Sequence, residues 1–224
     1  MSSSTKSFVF AAVLCLVCGL LLTGASEGLR ERQGENVKLD KQKNILKSLG
    51  LLSDSQELTR TEIISLFESK IKSAQVDASG QFVDHGGAPL YVLREGNQIA
   101  GYVVPFEAYG LWSLVKGFIS IQGDGETVQG FTVYSHGETP GLGGECEKPW
   151  FQDQFRGKKI LNRAGEFVSV GVVKGKVSDV IAEDDQINYV DGMSGATITS
   201  KGIERDLKKT LGAYEPFSKR FRKK

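Results

Sequence analysis

The residues best suited to chemistry in this 224-residue chain lie in three loops. The first is Asp191-Gly192-Met193-Ser194-Gly195-Ala196-Thr197, followed by Ile198-Thr199-Ser200-Lys201-Gly202. Two glycines and an alanine strip this stretch of bulk, so its backbone N–H groups can come close to a ligand, and hydroxyls surround the gap. A helix expected to begin near Ser200 would aim the positive end of its dipole at that point. Such a place suits a phosphate held by N–H groups and Ser/Thr oxygens. A capped helix start with nothing bound has the same composition, because Ser and Thr are common N-terminal residues. Gly192-Met193-Ser194-Gly195-Ala196 approaches the G-x-S-x-G elbow of hydrolases, but it ends in Ala and no His stands in a triad order.

The second loop, His136-Gly137-Glu138-Thr139-Pro140-Gly141-Leu142-Gly143-Gly144-Glu145, is dense in glycine and suits close packing on a flat ligand. It lacks the Lys-Ser/Thr ending of a P-loop and the strand-to-helix setting of a dinucleotide fingerprint, which sets aside NTPase and Rossmann readings. His136 is expected to hydrogen-bond within the turn rather than to catalyse. The third loop, Gly110-Leu111-Trp112, offers either core packing or an apolar wall for a planar ring.

The composition narrows the field. Lys and Arg number 28 against 27 Asp and Glu, which leaves no field of one sign to attract nucleic acid. Three cysteines and two distant histidines without C-x-x-C or H-x-x-x-H spacing exclude a structural zinc site. At 40% hydrophobic residues the chain has enough for a core.

Elements must position these loops. Ser7 to Ser26 carries no charge and Phe8 to Leu22 is apolar on every face, the length of one membrane crossing with Lys6 on the cytoplasmic side. A cleaved signal peptide ending at Thr23-Gly24-Ala25 is the alternative. Residues 1–26 are thus read as an anchor, 27–37 as a charged tether, 38–215 as one domain and 216–224 as a solvated basic tail able to meet acidic lipid. Within the domain, helical periodicity covers Lys38 to Gly50. It returns from Leu58 to Ile71, running on to the polar stretch at Gly80, with Ser53 or Ser55 as cap. A hairpin follows, Pro89–Leu93 and Ile99–Val104 around a Gly96-Asn97 turn, its weak alternation implying that both faces are covered. Strands at 117–121 and 127–134, a short aromatic helix at 150–155, strands near 167–173 and 187–190, and a helix from about 200 to 212 complete an α+β order.

Taken together, LDKQKNILKSLGL, YVVPF, GLW, GFTVYSHGETPGLGGE and VDGMSGATITSKGI resemble the family of C subunits of sodium-translocating NADH:quinone oxidoreductases. That family lies within the FMN-binding-domain family shared with the G subunit of the Rnf-type complex. The resemblance implies that a flavin transferase joins FMN to Thr197 by a phosphoester. Asp191, Ser194, Gly195 and Ala196 would form the recognised sequence, and Leu111, Trp112, Thr139, Gly141 and Leu142 would contact the ring. It further implies an electron relay beside other subunits of a complex in the bacterial inner membrane, with the domain extracytoplasmic. No catalytic group beyond the flavin and no metal, NADH or quinone site is expected in this chain. Sodium movement would belong elsewhere, because one helix without an intramembrane charge cannot line an ion path. An anchored FMN- or phosphate-binding sensory module, or an exported flavinylated shuttle, would share the same motif. Cys146 is expected to pack rather than react.

Overall fold

A computed structural model describes residues 2–53, 56–96 and 98–222. The chain divides into two units, Met1–Asp40 and Lys41–Lys224. The first is helical throughout its described length from Ser3, the beginning of α1 (Ser3–Ser48). Its side chains Phe8, Phe10, Leu21 and Leu22 are at least two-thirds exposed, and the helix is long and apolar enough to cross a membrane. Residues 27–37 are helical rather than a loose tether, because their Glu, Arg, Gln and Leu are good helix formers and nothing among them stops the hydrogen-bond ladder.

In the second unit, α1 ends where expected, at Gly50. Gly50 N–H donates to Lys47 O at 2.9 Å and Leu51 N–H to Leu46 O at 2.9 Å, a Schellman stop. Helix α2 (Arg60–Lys70) is capped by Thr59, in a reciprocal box with Glu62, and not by Ser53; Ser55 lies outside the described residues. The helix stops at Lys70, short of the expected stretch, because Ile71 onward pairs with a strand far along the chain.

Six strands form an antiparallel sheet: β1 (Ile71–Val76), β2 (Phe82–Val83), β3 (Ala88–Glu95), β4 (Gln98–Tyr109), β5 (Leu114–Gln122) and β6 (Val128–Ser135), in the order β2-β1-β3-β4-β5-β6. Asn97, expected in the β3–β4 turn, lies outside the described residues. The short aromatic helix is α3 (Pro149–Gln152), continued by a tight turn to Phe155. The strands expected near 167–173 and 187–190 shrink to the parallel pair β7 (Gly171–Val172) and β8 (Tyr189–Val190), flanking α4 (Val177–Val180). The last helix, α5 (Thr197–Ser218), is longer at both ends than the spacing predicts.

Both faces of the sheet are covered, as its weak alternation implies. On one, Ile203, Leu207, Leu211, Tyr214 and Phe217 of α5, spaced three and four residues apart, join a single buried cluster with Tyr102, Val104 and Phe106 of β4. On the other, Ser120 and Thr132 hydroxyls and the Gln129 amide donate to the last carbonyls of α1, at Ser48, Asn44 and Leu49. Residues 216–222 are no loose tail: Phe217 is fully buried, and Arg222 makes two hydrogen bonds to the Glu215 carboxylate at 2.6 and 2.7 Å. Cys146 is buried in the core, and burial pushes its thiol up to about 12, the condition of a packing residue.

Gly202 sets how closely α5 approaches β4. A Cβ there would run into the carbonyl oxygen of Tyr109, whereas one at Gly212 would meet only the Phe167 ring at 3.5 Å. Gly202→Ala is therefore expected to cost about 1–3 kcal/mol by overpacking. Gly212→Ala should be neutral or stabilise by up to about 1 kcal/mol through helix propensity. Urea denaturation of the detergent-solubilised protein checks this; equal stabilities for the two variants would contradict the close approach.

Candidate functional site

The three loops meet at one end of the sheet. Gly110-Leu111-Trp112-Ser113 is the turn between β4 and β5, and the glycine-rich loop leaves the end of the neighbouring strand β6. The remaining loop, Asp191 to Ala196, runs from β8 into α5. Besides the close contact at Gly202, Asp206 of α5 accepts from Tyr109 N–H at 2.8 Å, which fixes the helix head beside the β4–β5 turn.

At the centre lies Glu138, only 5% exposed. Its carboxylate accepts from the N–H groups of Leu111 (3.1 Å), Trp112 (2.8 Å) and Ser113 (3.1 Å) and from the Thr199 hydroxyl (2.6 Å). One side chain thus ties all three loops together. Burial alone would push its pKa up. The Thr199 hydroxyl and the three N–H groups outweigh burial and hold the carboxyl below the usual range. Gly110 and Gly143 make room for it: a Cβ at either would come within 2.6 Å of a Glu138 oxygen.

His136 braces the same loop. Its Nδ1 accepts from Glu138 N–H at 3.2 Å, and its Nε2 lies 3.1 Å from Glu147 Oε2. Gly137 N–H donates to Ser113 Oγ at 2.6 Å, closing the zipper between the two turns. The expected turn role of His136 is the one it performs.

Helix α5 begins at Thr197, three residues before Ser200. Its N-cap is Ala196, which supplies no side-chain acceptor, and the first backbone bond into the helix is Ser200 N–H to Ala196 O at 2.9 Å. The opening N–H groups of a 22-residue helix are therefore left without a capping side chain. Of the hydroxyls near the gap, Thr199 is buried and bound to Glu138, while Ser200 is buried and accepts from Met193 N–H at 3.2 Å. Ser194 and Thr197 are exposed, and only Thr197 faces the cleft between the loops.

That cleft, about 280 Å³, is lined by Leu111, Trp112, Thr139, Leu142, Gly195, Ala196 and Thr197 from the expected set, and by Glu138, Gly143, Ile198 and Thr199 in addition. Roomier hollows of about 480 and 500 Å³ lie beside β1–β3 and between β4 and α5, but neither gathers the three loops or a helix start. Trp112 is 72% exposed, and Leu111, Leu142 and Ile198 are also exposed, so an apolar wall stands beside the positive end of a helix dipole. This pairing fits a planar aromatic group carrying a phosphate.

Three expected residues sit outside the cleft. Asp191 accepts from Val177 N–H at 2.7 Å while its own N–H donates to Gln154 Oε1 at 2.8 Å, so it braces the loop. Ser194 and Gly141 are exposed beside it. No cluster of His, Cys, Asp or Glu suited to a metal ion occurs among the described residues. Glu138 escapes sequence reading because three of its four partners are backbone N–H groups; its one visible sign is an acidic residue inside a glycine-rich turn.

Glu138→Gln presents an amide N–H to groups that are all donors, and is expected to cost about 1–3 kcal/mol. The sign with pH follows from the lowered folded-state pKa. The stabilisation is complete above the unfolded glutamate value of about 4.3 and is lost as pH falls through the folded value. Denaturation at several pH values should show the wild-type advantage at neutral pH and its disappearance in acid. A gap constant with pH would contradict an ionised Glu138.

Comparison with known proteins agrees with this geometry. A model of the FMN-binding domain matches residues 110–212, which begin at the β4–β5 turn and end within α5. The C subunit of the Na(+)-translocating NADH-quinone reductase of Yersinia pestis is 34% identical, over 97% of this chain and 92% of that protein. The corresponding protein of Pseudomonas aeruginosa is 33% identical, over 99% and 97%. The crystal structure of the C subunit from Parabacteroides distasonis aligns with a TM-score of 0.72 at 33% identity, over 85% of this chain and 96% of that one. With its fold, its three converging loops and near-full-length identity all in agreement, this chain belongs to the family of C subunits of Na(+)-translocating NADH-quinone reductases.

Proposed function

We propose that this chain is the FMN-carrying electron-relay subunit of a membrane sodium-translocating NADH:quinone oxidoreductase, with FMN joined to Thr197 through a phosphoester. The observation that carries the reading is the selection of one hydroxyl. Of the exposed hydroxyl side chains lining the cleft, Thr139 and Thr197, only Thr197 stands on the first residue of an uncapped helix, while Thr199 is buried and Ser194 and Ser200 lie outside the cleft. A phosphate esterified there keeps one negative charge, which the helix end stabilises by about 0.3–1 kcal/mol.

FMN, when bound, supplies the acceptance and donation of electrons. The protein's part is positional. The opening N–H groups of α5 would hold the phosphate, Leu111, Trp112, Leu142 and Ile198 would wall the ring, and Glu138 keeps the three loops in register. No proton-transferring side chain is needed. Other subunits of the complex are the electron partners, a flavin transferase is the maturation partner, and lipid surrounds α1. The anchor leaves the domain on the extracytoplasmic side, because Lys6 precedes the apolar stretch and favours a cytoplasmic N-terminus.

Co-expression with a flavin transferase, followed by denaturing electrophoresis, tests the attachment. A fluorescent wild-type band and a dark Thr197→Val band are expected, with Thr199→Val still fluorescent. A dark wild-type band, or fluorescence surviving in Thr197→Val, would contradict the reading.

A further inference from the structure

The structure places a buried carboxylate in the lining of the cleft that holds Thr197. Glu138 lines the same cleft as Thr197, Leu111 and Trp112, and among the described residues it has no ion-pair partner. Its four hydrogen-bond donors are neutral dipoles. They stabilise the carboxylate without cancelling its charge, and its burial denies it the screening of bulk water. A carboxylate buried in this way is tolerated only because several donors converge on it.

We propose, resting on the FMN reading above, that Glu138 is the residue that sets the redox potential of the flavin, holding it low. Electrons reaching the ring come from NADH by way of the complex and leave toward quinone, so the ring gains and then loses negative charge against a fixed one. Adding electrons beside a carboxylate is less favourable than adding them beside a neutral amide, and the carboxylate therefore lowers the potential. Glu138 takes no electron and no proton in this role. It acts on the ring as a positioned charge, and on the loops as their tie.

The two roles separate in a pair of variants that break the same Thr199–Glu138 hydrogen bond. Glu138→Gln removes the charge and should raise the potential. Thr199→Val keeps the charge but withdraws a donor from it, and should lower the potential. Loosening of the loops alone would move both the same way. The measurement is spectroelectrochemical titration of full-length, flavinylated wild type and variants in detergent at fixed neutral pH. Opposite shifts support the assignment; an unchanged potential in Glu138→Gln, or shifts of one sign in both, overturn it. If one variant takes up no flavin, Glu138→Ala or Thr199→Ala stands in for it, and the comparison of signs still decides. A wild-type chain without covalent fluorescence would instead overturn the FMN reading and this inference with it, an outcome recognised in the gel before any titration.

Discussion

A carboxylate buried at 5% exposure must be given donors, and the four that Glu138 finds come from chain positions 25 to 61 residues away. That requirement organises the end of the sheet. The β4–β5 turn must present three consecutive N–H groups inward, which explains its tight, glycine-led form. The glycine-rich loop must fold over the carboxylate without side chains in the way, and α5 must bring Thr199 within hydrogen-bond reach. Each segment is held by something else as well: Gly202 and Asp206 on Tyr109, Ser113 on Gly137, His136 on Glu138 N–H. The result is a site built from loops with the fixity of a core.

The second feature that gives the site its character is an omission. Most helices begin with Ser, Thr, Asp or Asn, whose oxygen satisfies an opening N–H. Here Ala196 stands in that position and the neighbouring hydroxyls of Thr199 and Ser200 are committed elsewhere. The helix end is thus left without a capping side chain, at a local cost in helix stability that the packing of Ile203, Leu207 and Leu211 offsets. The cleft is also slight, about 280 Å³ against the ~300–1,000 Å³ of pockets that retain ligands by burial. On the proposed reading, a covalent bond at Thr197 would supply retention that the surface does not.

Much of this was legible in residues alone, for identifiable reasons. The strands at 89–104, 117–121 and 128–134 follow from side-chain patterning, and the three loops stand out because glycine and hydroxyl residues interrupt it. The helix start expected after 191–197 is present, yet it falls at Thr197 instead of Ser200. The absent cap misleads: Ala196 gives no signal. β1 was hidden because Ile71 extends a helical pattern and only pairing with β3, a non-local event, turns it into strand. The glutamate at the centre was invisible because backbone N–H groups carry no letter in a sequence. Asp191 lies in the motif but serves the loop behind it, which no spacing could reveal.

The central claim is chemical and local, and fragmentation mass spectrometry of the tryptic peptide Val177–Lys201, taken from native membranes, tests it most directly. The account expects an added flavin mononucleotide, less one water, carried on Thr197 with Thr199, Ser194 and Ser200 bare. A peptide consistently unmodified, or one carrying the flavin on any of those other hydroxyls, would contradict it.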